Sequence, residues 1–226
     1  MIFAANFKTN HTRASTKEYL FTLESLVQNS SDEFYIFPPM SALQSHDGKI
    51  TVGSQNAYPT KNGAFTGEIG LEHLEEFEIK TILIGHSERR ALLGESHDLI
   101  VKKFDFFKSH GFKIIYCIGE PLEVRECGEE NVIEFLANQF EDIDTSYENL
   151  IVAYEPIWAI GTGVSATNAQ IASTHHAIKK ICDKPLLYGG SVNAANIKGV
   201  LSTLNVDGVL VGSASLDVQN FFSLTK

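Results

Sequence analysis

Glu155 is the side chain best placed for acid–base chemistry. It follows the apolar run 150–152 and precedes Pro156, which ends sheet pairing because proline fixes its own φ angle and donates no hydrogen bond. The apolar residues 157–160 run to Gly-Thr-Gly at 161–163, so they are predicted to form a lid over the carboxylate. A carboxylate shielded from water gains basicity, which proton abstraction next to a carbonyl requires. A solvated Glu beside an ordinary loop is the alternative.

Lys8 and His86 are the two further candidates for chemistry. Lys8 comes two residues after Asn6, where an ammonium would attract an anionic substrate and stabilise a developing enolate oxygen. His86 begins a predicted helix, whose positive end keeps the ring neutral and able to donate a hydrogen bond to a carbonyl oxygen. A surface lysine and a structural histidine are the alternatives. The other histidines are interpreted as structural.

Two turns rich in small residues, at 188–191 and 210–215, are typical of phosphate binding. Small residues allow backbone amides to approach a ligand, and a short helix that follows adds positive potential. The alternative is two tight turns that use glycine for its freedom at positive φ. The Gly-Thr-Gly at 161–163 is too short for a dinucleotide fingerprint and is interpreted as lid.

Composition limits the classes of protein to consider. The 226 residues, with 43% hydrophobic and 20% charged, predict one domain over residues 1–226. We find no apolar stretch of the roughly 20 residues that a membrane span needs, nor a signal-peptide layout, so we expect no membrane partner and a cytoplasmic location. A net charge of −10 argues against a nucleic-acid partner. The three cysteines follow no metal spacing, and His-Glu-x-x-His is absent, so no metal is expected.

Eight short apolar runs separated by helix-like stretches predict the fold. The runs cover residues 2–5, 34–37, 50–53, 82–84, 113–117, 150–153, 185–188 and 208–211. Most are continuous rather than alternating, which indicates strands of a parallel sheet covered on both faces. Helix starts are predicted at Thr167 and at Ser15-Thr16, with Glu18 in the first turn of the latter helix. The α/β alternation favours a (β/α)8 barrel, with an open doubly wound sheet as the alternative.

A barrel places functional groups at one end, just after its strands. Polar residues follow seven of the eight runs, at 6–8, 55–56, 85–90, 119–120, 155, 189–191 and 212–215. The loop of residues 55–68, from Gln55 to Glu68, is longer than the usual connection of about two to six residues. It must bury Phe65, either against a second subunit or on its own barrel.

Seven motifs together resemble the triosephosphate isomerase family, in the right order over nearly the whole chain. They are ANFK at 5–8, GAFTGE at 63–68, GHSERR at 85–90, CIGE at 117–120, AYEPIWAIGTG at 153–163, YGGSV at 188–192 and VGSASL at 211–216. The resemblance implies a (β/α)8 homodimer that interconverts dihydroxyacetone phosphate and glyceraldehyde 3-phosphate through an enediol, in glycolysis and gluconeogenesis. It implies no cofactor.

The resemblance also assigns roles to residues. Glu155 would move the proton between neighbouring carbons, His86 would polarise the carbonyl, and Lys8, supported by Glu88, would supply charge. A Glu base with a neutral His is the established pairing of this family. Residues 156–166 would close as the lid, and Thr66 would reach the site of the partner subunit. The remaining substrate-binding residues would be Asn6 and, through backbone amides, Gly161, Ser191, Gly212 and Ser213.

The chain departs from the family pattern at several positions. Ser213 stands where a second glycine is usual, so its backbone angles must suit a residue with a Cβ atom. The other departures are Phe7 for Trp, Val164 for Lys and Asp217 for Lys. The chain is also short, which fits the brief connection of residues 41–49.

Two other functions fit parts of the sequence. Another phosphate-binding barrel enzyme, from a biosynthetic pathway, would share the two turns but need a different acid or base. A non-catalytic binding or surface protein could keep the barrel alone. The intact Lys8, His86 and Glu155 argue against the second of these.

Overall fold

Parallel strands alternate with helices in the computed structural model, which describes residues 1–160 and 165–226. The strands are β1 Ile2–Asn6, β2 Glu33–Phe37, β3 Ile50–Val52, β4 Thr81–Ile84, β5 Lys113–Ile118, β6 Leu150–Tyr154, β7 Leu186–Tyr188 and β8 Gly208–Val211. The helices are α1 Arg13–Val27, α2 Leu71–Glu76, α3 Ser87–Leu92, α4 His97–Ser109, α5 Leu122–Glu126, α6 Glu129–Asn138, α7 Asn168–Ile181, α8 Ile197–Leu201 and α9 Val218–Ser223. Short 3₁₀ turns cover Met40–Ala42, Ile157–Ala159 and Ser213–Ser215. Every predicted apolar run is a strand.

The sheet closes on itself. Its strand order is β3-β2-β1-β8-β7-β6-β5-β4, and the paired strands are parallel. Ser54, just after β3, bridges Ile82 of β4 in parallel. The Ser54 amide donates to the Thr81 carbonyl at 2.9 Å, and the Leu83 amide donates to the Ser54 carbonyl at 2.8 Å. The (β/α)8 prediction is therefore confirmed, and the open doubly wound sheet is wrong.

Two apolar layers explain why the strand runs are continuous. Residues that alternate along a strand point to opposite faces of the sheet. In β5, Ile115 and Cys117 belong to a cluster made of strand residues alone, which fills the barrel interior. Ile114 and Tyr116 belong to the larger cluster that includes the helices. Since both faces are buried, no polar residue is required between the apolar ones.

One predicted helix start is confirmed and one is wrong. Thr167 caps α7, because its hydroxyl accepts the Gln170 amide at 3.2 Å. Helix α1 begins at Arg13, ahead of the predicted start at Ser15-Thr16, and Glu18 is not in its first turn. The reason is that Thr12 and Ser15 form a capping box, so that Ser15 stands at the third helical position.

The connection between β2 and β3 is as brief as expected. Among the described residues it contains a 3₁₀ turn, Met40–Ala42, and no α-helix. The Glu24 carboxylate of α1 holds the end of this connection, since it accepts the amides of Lys49 at 2.9 Å and Ile50 at 3.3 Å. His46 lies 3.1 Å from the same carboxylate. These bonds give the two backbone amides partners where the connection ends.

A search of the described residues finds no helix long and apolar enough to cross a membrane.

Candidate active site

A cavity of about 450 Å³ lies at the carboxyl ends of the strands. It collects side chains and turns that are far apart in the sequence, as the barrel geometry predicts. The predicted site residues in its wall are Asn6, Lys8, His86, Glu155, Ser191, Gly212 and Ser213. The remaining predicted site residue, Gly161, and the lid residue Val164 lie outside the described residues.

Glu155 is held at the base of this cavity. It follows β6 directly and is 2% exposed. Its amide donates to the Ile118 carbonyl at 2.7 Å, and a Cβ atom on Gly119 would lie 1.8 Å from the Glu155 carbonyl oxygen. Glycine at 119 is therefore required for the backbone after β5 to approach this closely. The carboxylate accepts the Ser87 amide through Oε2 at 2.9 Å.

His86 faces the same carboxylate. Its Nε2 atom lies 2.9 Å from Oε1 of Glu155, and its Nδ1 atom accepts the Glu88 amide at 3.3 Å as the N-cap of α3. Because Nδ1 accepts, the ring hydrogen of neutral His86 is assigned to Nε2, which donates to Glu155. A hydrogen on Nε2 is the one that a substrate carbonyl at this place would meet.

The resting pair shifts both pKa values. Burial raises the pKa of Glu155. His86, the Ser87 amide and Lys8 together lower it by more than burial raises it, so the pKa lies below its ordinary value. Burial lowers the pKa of His86. The charge of Glu155 and its hydrogen bond raise it by more than burial lowers it, so the pKa lies above its ordinary value. In this arrangement the two pKa directions are opposite to those of the expected basic Glu155 and neutral His86, whose roles in proton transfer stay predictions. Burial opposes both shifts, so separating the pair moves the pKa of Glu155 upward and that of His86 downward.

Lys8 has a strained backbone. Its φ of +53° lies in the left-handed region, which costs a non-glycine residue about 1–3 kcal/mol. Two neighbours hold this conformation: Asn6 Oδ1 accepts the Lys8 amide at 3.0 Å, and Gln55 Nε2 donates to the Lys8 carbonyl at 2.8 Å. The ammonium lies 2.5 Å from Oε1 of Glu88, which is the expected supporting carboxylate.

The two small-residue turns border the other side of the cavity. The Ser191 hydroxyl donates to the Ala159 carbonyl at 2.5 Å and so joins the turn after β7 to the first residues of the lid. Ser213 begins a 3₁₀ turn and is not among the described residues with positive φ. Its backbone therefore suits a residue with a Cβ atom, which answers the question raised by the missing glycine.

From the sequence, Glu120 is predicted only as a polar residue after β5, with no role in the chemistry. Its carboxylate is buried, and one oxygen accepts from Trp158 Nε1 at 2.9 Å, from Tyr154 at 3.0 Å and from Arg125 at 2.6 Å. Glu120 thus holds Trp158, a residue of the predicted lid, in place. Ser87 is not predicted from the sequence either, because it contributes a backbone amide, which every residue type except proline has. The available signal for Glu120 was its place just after a strand.

The described residues contain no group of three or more His, Cys, Asp and Glu that could hold a metal ion. The cavity instead offers a paired acid and base, an ammonium and two turns with small residues. Fold and site together define a (β/α)8-barrel protein with an acid–base centre beside a place suited to an anion.

Comparison with known proteins narrows this class. The triosephosphate isomerase family model matches residues 1–226. The triosephosphate isomerase of Sulfurovum sp. (strain NBC37-1) is 65% identical over 98% of this chain and 97% of its own length. That of Sulfurimonas denitrificans is 55% identical over 100% and 95%. That of Campylobacter jejuni subsp. jejuni is 53% identical over 100% of both. The chain belongs to the triosephosphate isomerase family.

Proposed function

We propose that this chain is an aldose–ketose isomerase that interconverts dihydroxyacetone phosphate and D-glyceraldehyde 3-phosphate, a step of glycolysis and gluconeogenesis. The observation that supports it most is the convergence of Lys8, His86 and Glu155 in one cavity, in a chain of this family. The three residues are separated by long stretches of sequence. Their approach is therefore a property of the folded barrel that a chance motif would not produce.

Glu155 acts as the base in this proposal. In the resting state its carboxylate accepts from His86 and Ser87, so a bound substrate has to replace at least the bond to His86. The substrate carbonyl oxygen takes the place of Oε1 as acceptor from His86 Nε2. With that bond gone, burial raises the pKa of Glu155, and its carboxylate removes a proton from the carbon next to the carbonyl. His86 passes a proton from the neighbouring substrate hydroxyl to the former carbonyl oxygen, so that the charge moves between the two oxygens of the enediolate. Glu155 then returns its proton to the neighbouring carbon, which completes the isomerisation.

Lys8 and the two turns hold the dianionic substrate. Charge on the enediolate oxygen is stabilised by the His86 hydrogen bond and the Lys8 ammonium. A Cβ atom on Gly212 would lie 3.4 Å from Lys8 Cε, so the lysine chain passes beside the turn after β8. We propose that backbone amides of Gly161, Ser191, Gly212 and Ser213 bind the phosphate, with Asn6 contacting the substrate. A closed lid would protect the intermediate from water.

Replacing Glu155 tests this function most directly. Glu155→Gln removes the base and Glu155→Asp withdraws it from the transferred proton, so we expect kcat to fall by about 10²–10⁴-fold in each. The measurement is a coupled isomerase assay with both triose phosphates. Glu123→Gln, on an exposed glutamate of α5, is the matched control and should keep the rate.

Normal turnover by either Glu155 variant would remove this residue as the base. No turnover by the unsubstituted chain would favour a non-catalytic barrel. Turnover of larger sugar phosphates alone would favour a different phosphate-binding enzyme.

We also propose that the chain forms a homodimer through the loop of residues 55–68. The Phe65 ring packs against the Tyr58 ring at a tilt, with ring centroids 4.2 Å apart, yet Phe65 remains 41% exposed. A second cavity, of about 640 Å³, lies beside Lys8 and includes Met40 and Leu93, which are 42% and 66% exposed. A loop with an exposed ring and a neighbouring cavity with exposed apolar walls are the two halves of a contact between copies.

Charge substitution tests the dimer. Phe65→Asp should shift sedimentation towards the monomer, because a buried unpaired carboxylate at a subunit contact is costly. Leu204→Asp, at a residue 72% exposed elsewhere, is the matched control and should leave the sedimentation coefficient unchanged. An unchanged dimer for Phe65→Asp would contradict the proposed contact.

The cytoplasmic location, the single domain over residues 1–226 and the independence from cofactors and metals stay predictions. The independence from cofactors and metals is checked by full isomerase activity of the purified chain, with nothing but substrate added, in the presence of a chelator.

A further inference from the structure

Three consecutive carbonyls in the turn after β8 are each held by a side chain from another place in the fold. The Ala214 carbonyl accepts from Asn220 Nδ2 at 2.6 Å. The Ser215 carbonyl accepts from the Tyr19 hydroxyl at 2.8 Å, and the Leu216 carbonyl accepts from His11 Nε2 at 3.0 Å. A short turn at the edge of the cavity is therefore fixed by three separate donors.

These bonds bear on the direction of the backbone amides. A peptide unit is planar, so the carbonyl of one residue and the amide of the next point in opposite directions. The Gly212 carbonyl is occupied by the Ser215 amide at 2.9 Å and the Ser215 hydroxyl at 2.7 Å. The Ser213 amide, in the same peptide unit, points away from Ser215. Holding Ser215 and Leu216 thus holds the orientation of the Ser213 amide.

His11 is the most unusual of the three donors, because its backbone is strained. Its φ is +69°, in the left-handed region, where a residue other than glycine is uncommon. Lys8, three residues earlier in the same connection, is also in this region. Strain of this kind persists where the surroundings over-determine the conformation.

The contacts of the His11 ring hold its strained backbone in this conformation. The ring lies 4.4 Å from the Phe7 ring and 5.7 Å from the Tyr19 ring, measured between centroids. Its Nδ1 atom is 3.2 Å from the Ser15 hydroxyl. Since a carbonyl only accepts, Nε2 must carry the hydrogen that reaches Leu216. His11 therefore ties the connection that carries Lys8 to the turn that carries Gly212 and Ser213.

We propose that His11 is a positioning residue for the phosphate end of the substrate. It sets the distance between the Lys8 ammonium and the phosphate-facing backbone after β8, and Tyr19 supports the same turn. The inference rests on the proposed function, because it specifies how that site holds its dianion. It makes His11 important for affinity and unimportant for proton transfer, which takes place at Glu155 and His86.

The test compares three substitutions at this position. His11→Gly accepts the left-handed backbone but loses the ring and the bond to Leu216. His11→Asn also tolerates positive φ, but its side chain is too short to reach Leu216. His11→Gln keeps an N–H donor at about the reach of Nε2. Asp142→Gly is the matched control, since Asp142 is exposed and has a φ of +59° far from the cavity.

The measurements are kcat and KM with triose phosphates and the inhibition constant of inorganic phosphate. For His11→Gly and His11→Asn we expect KM and the phosphate constant to rise about five- to tenfold, the size of one lost hydrogen bond, with kcat within about twofold. His11→Gln should recover part of the affinity, and Asp142→Gly should match the unsubstituted chain.

An unchanged phosphate constant in His11→Gly would overturn the inference, as would equal losses in His11→Asn and His11→Gln. So would a fall in kcat with the phosphate constant unchanged. If His11→Gly does not fold, the comparison of Asn with Gln decides. Absence of isomerase activity in the unsubstituted chain would instead overturn the proposed function, and calorimetric phosphate binding by the same variants would still test His11.

Discussion

His86 and His175 are both buried, but they lie in different regions and their pKa values shift in opposite directions. His86 lies in the cavity and contacts Glu155, and the pKa of its ring is raised. His175 lies in α7, near the rings of Tyr154 and Tyr188, and donates from Nδ1 to the Asn205 carbonyl at 2.9 Å. Burial lowers the pKa of His175 to about 4. The two rings thus share burial and differ in the partner.

The comparison shows that a carboxylate, rather than burial, prepares a histidine for chemistry. Burial alone favours the neutral ring, as at His175, where the Asn205 carbonyl and Asp207 offset it only in part and Lys179 adds to it. At His86 the Glu155 carboxylate reverses the direction. A side-chain carboxylate can also move away when a substrate arrives, whereas a backbone carbonyl inside the fold cannot. The His86 ring is therefore able to exchange its hydrogen-bond partner, whereas the His175 ring is not.

Acidification should have the largest of the expected effects, and it acts on the free energy of unfolding through His175. The unfolded chain binds a proton at His175 near pH 6.5, but the folded chain does so only near pH 4, so stability falls as the pH falls through this window. We expect a loss of about 3 kcal/mol in the free energy of unfolding from His175 by about pH 4. Urea unfolding at a series of pH values measures it.

The adjacent histidines His175 and His176 allow a matched comparison, with His176 as the control. His175→Gln removes the titrating group and should flatten the pH dependence over this window. His176→Gln, at an exposed position, should leave the dependence as it is. Equal slopes in the two variants would contradict the assignment to His175.

Removing the carboxylate should make His86 resemble His175. In Glu155→Gln, burial and Lys8 act on His86 with only Glu88 opposing them, so its pKa should move from above 6.5 to below it. Proton resonances of the His86 ring, followed against pH by NMR, measure this. A His86 pKa that stays raised in Glu155→Gln would show that the carboxylate is not its cause.

Replacing the ammonium should have the smallest effect and the opposite sign. Of the groups that shift the pKa of His86, Lys8 has the smallest effect, and its charge lowers that pKa. Lys8→Met should therefore raise the pKa of His86 and leave that of His175 unchanged, because Lys8 is not among the groups that shift the pKa of His175. The same NMR titration checks both rings, and movement of His175 would indicate a general structural change.

Much of the fold could be predicted because it depends on local patterns. Continuous apolar runs indicate strands buried on both faces, and all eight runs are strands. The polar residues after them gather at one end because parallel strands share a direction. The start of α1 was predicted too late, since Thr12 and Ser15 are both good capping residues and the sequence does not rank them.

The site was harder to predict in its details. The sequence supplies Glu155, His86 and Lys8, but Ser87 and Glu155 are 68 positions apart and their bond exists only in the folded chain. The pKa directions of Glu155 and His86 do not follow from the sequence, because burial of Glu155 and the helix end at His86 do not reveal that each charge lies beside the other. His11 carried no signal, since neither its φ nor its contact with Leu216 follows from residue type.

The sequence by itself determined the alternation of strands and helices, the polar ends of the strands and the residue types able to do the chemistry, because these follow from local periodicity and side-chain structure. Only the tertiary structure decided which charges face one another, which carbonyls receive a donor and in which direction each buried pKa moves. The physical reason is that electrostatic and hydrogen-bond energies depend on distances of a few ångströms between residues far apart along the chain, and closing the barrel sets those distances.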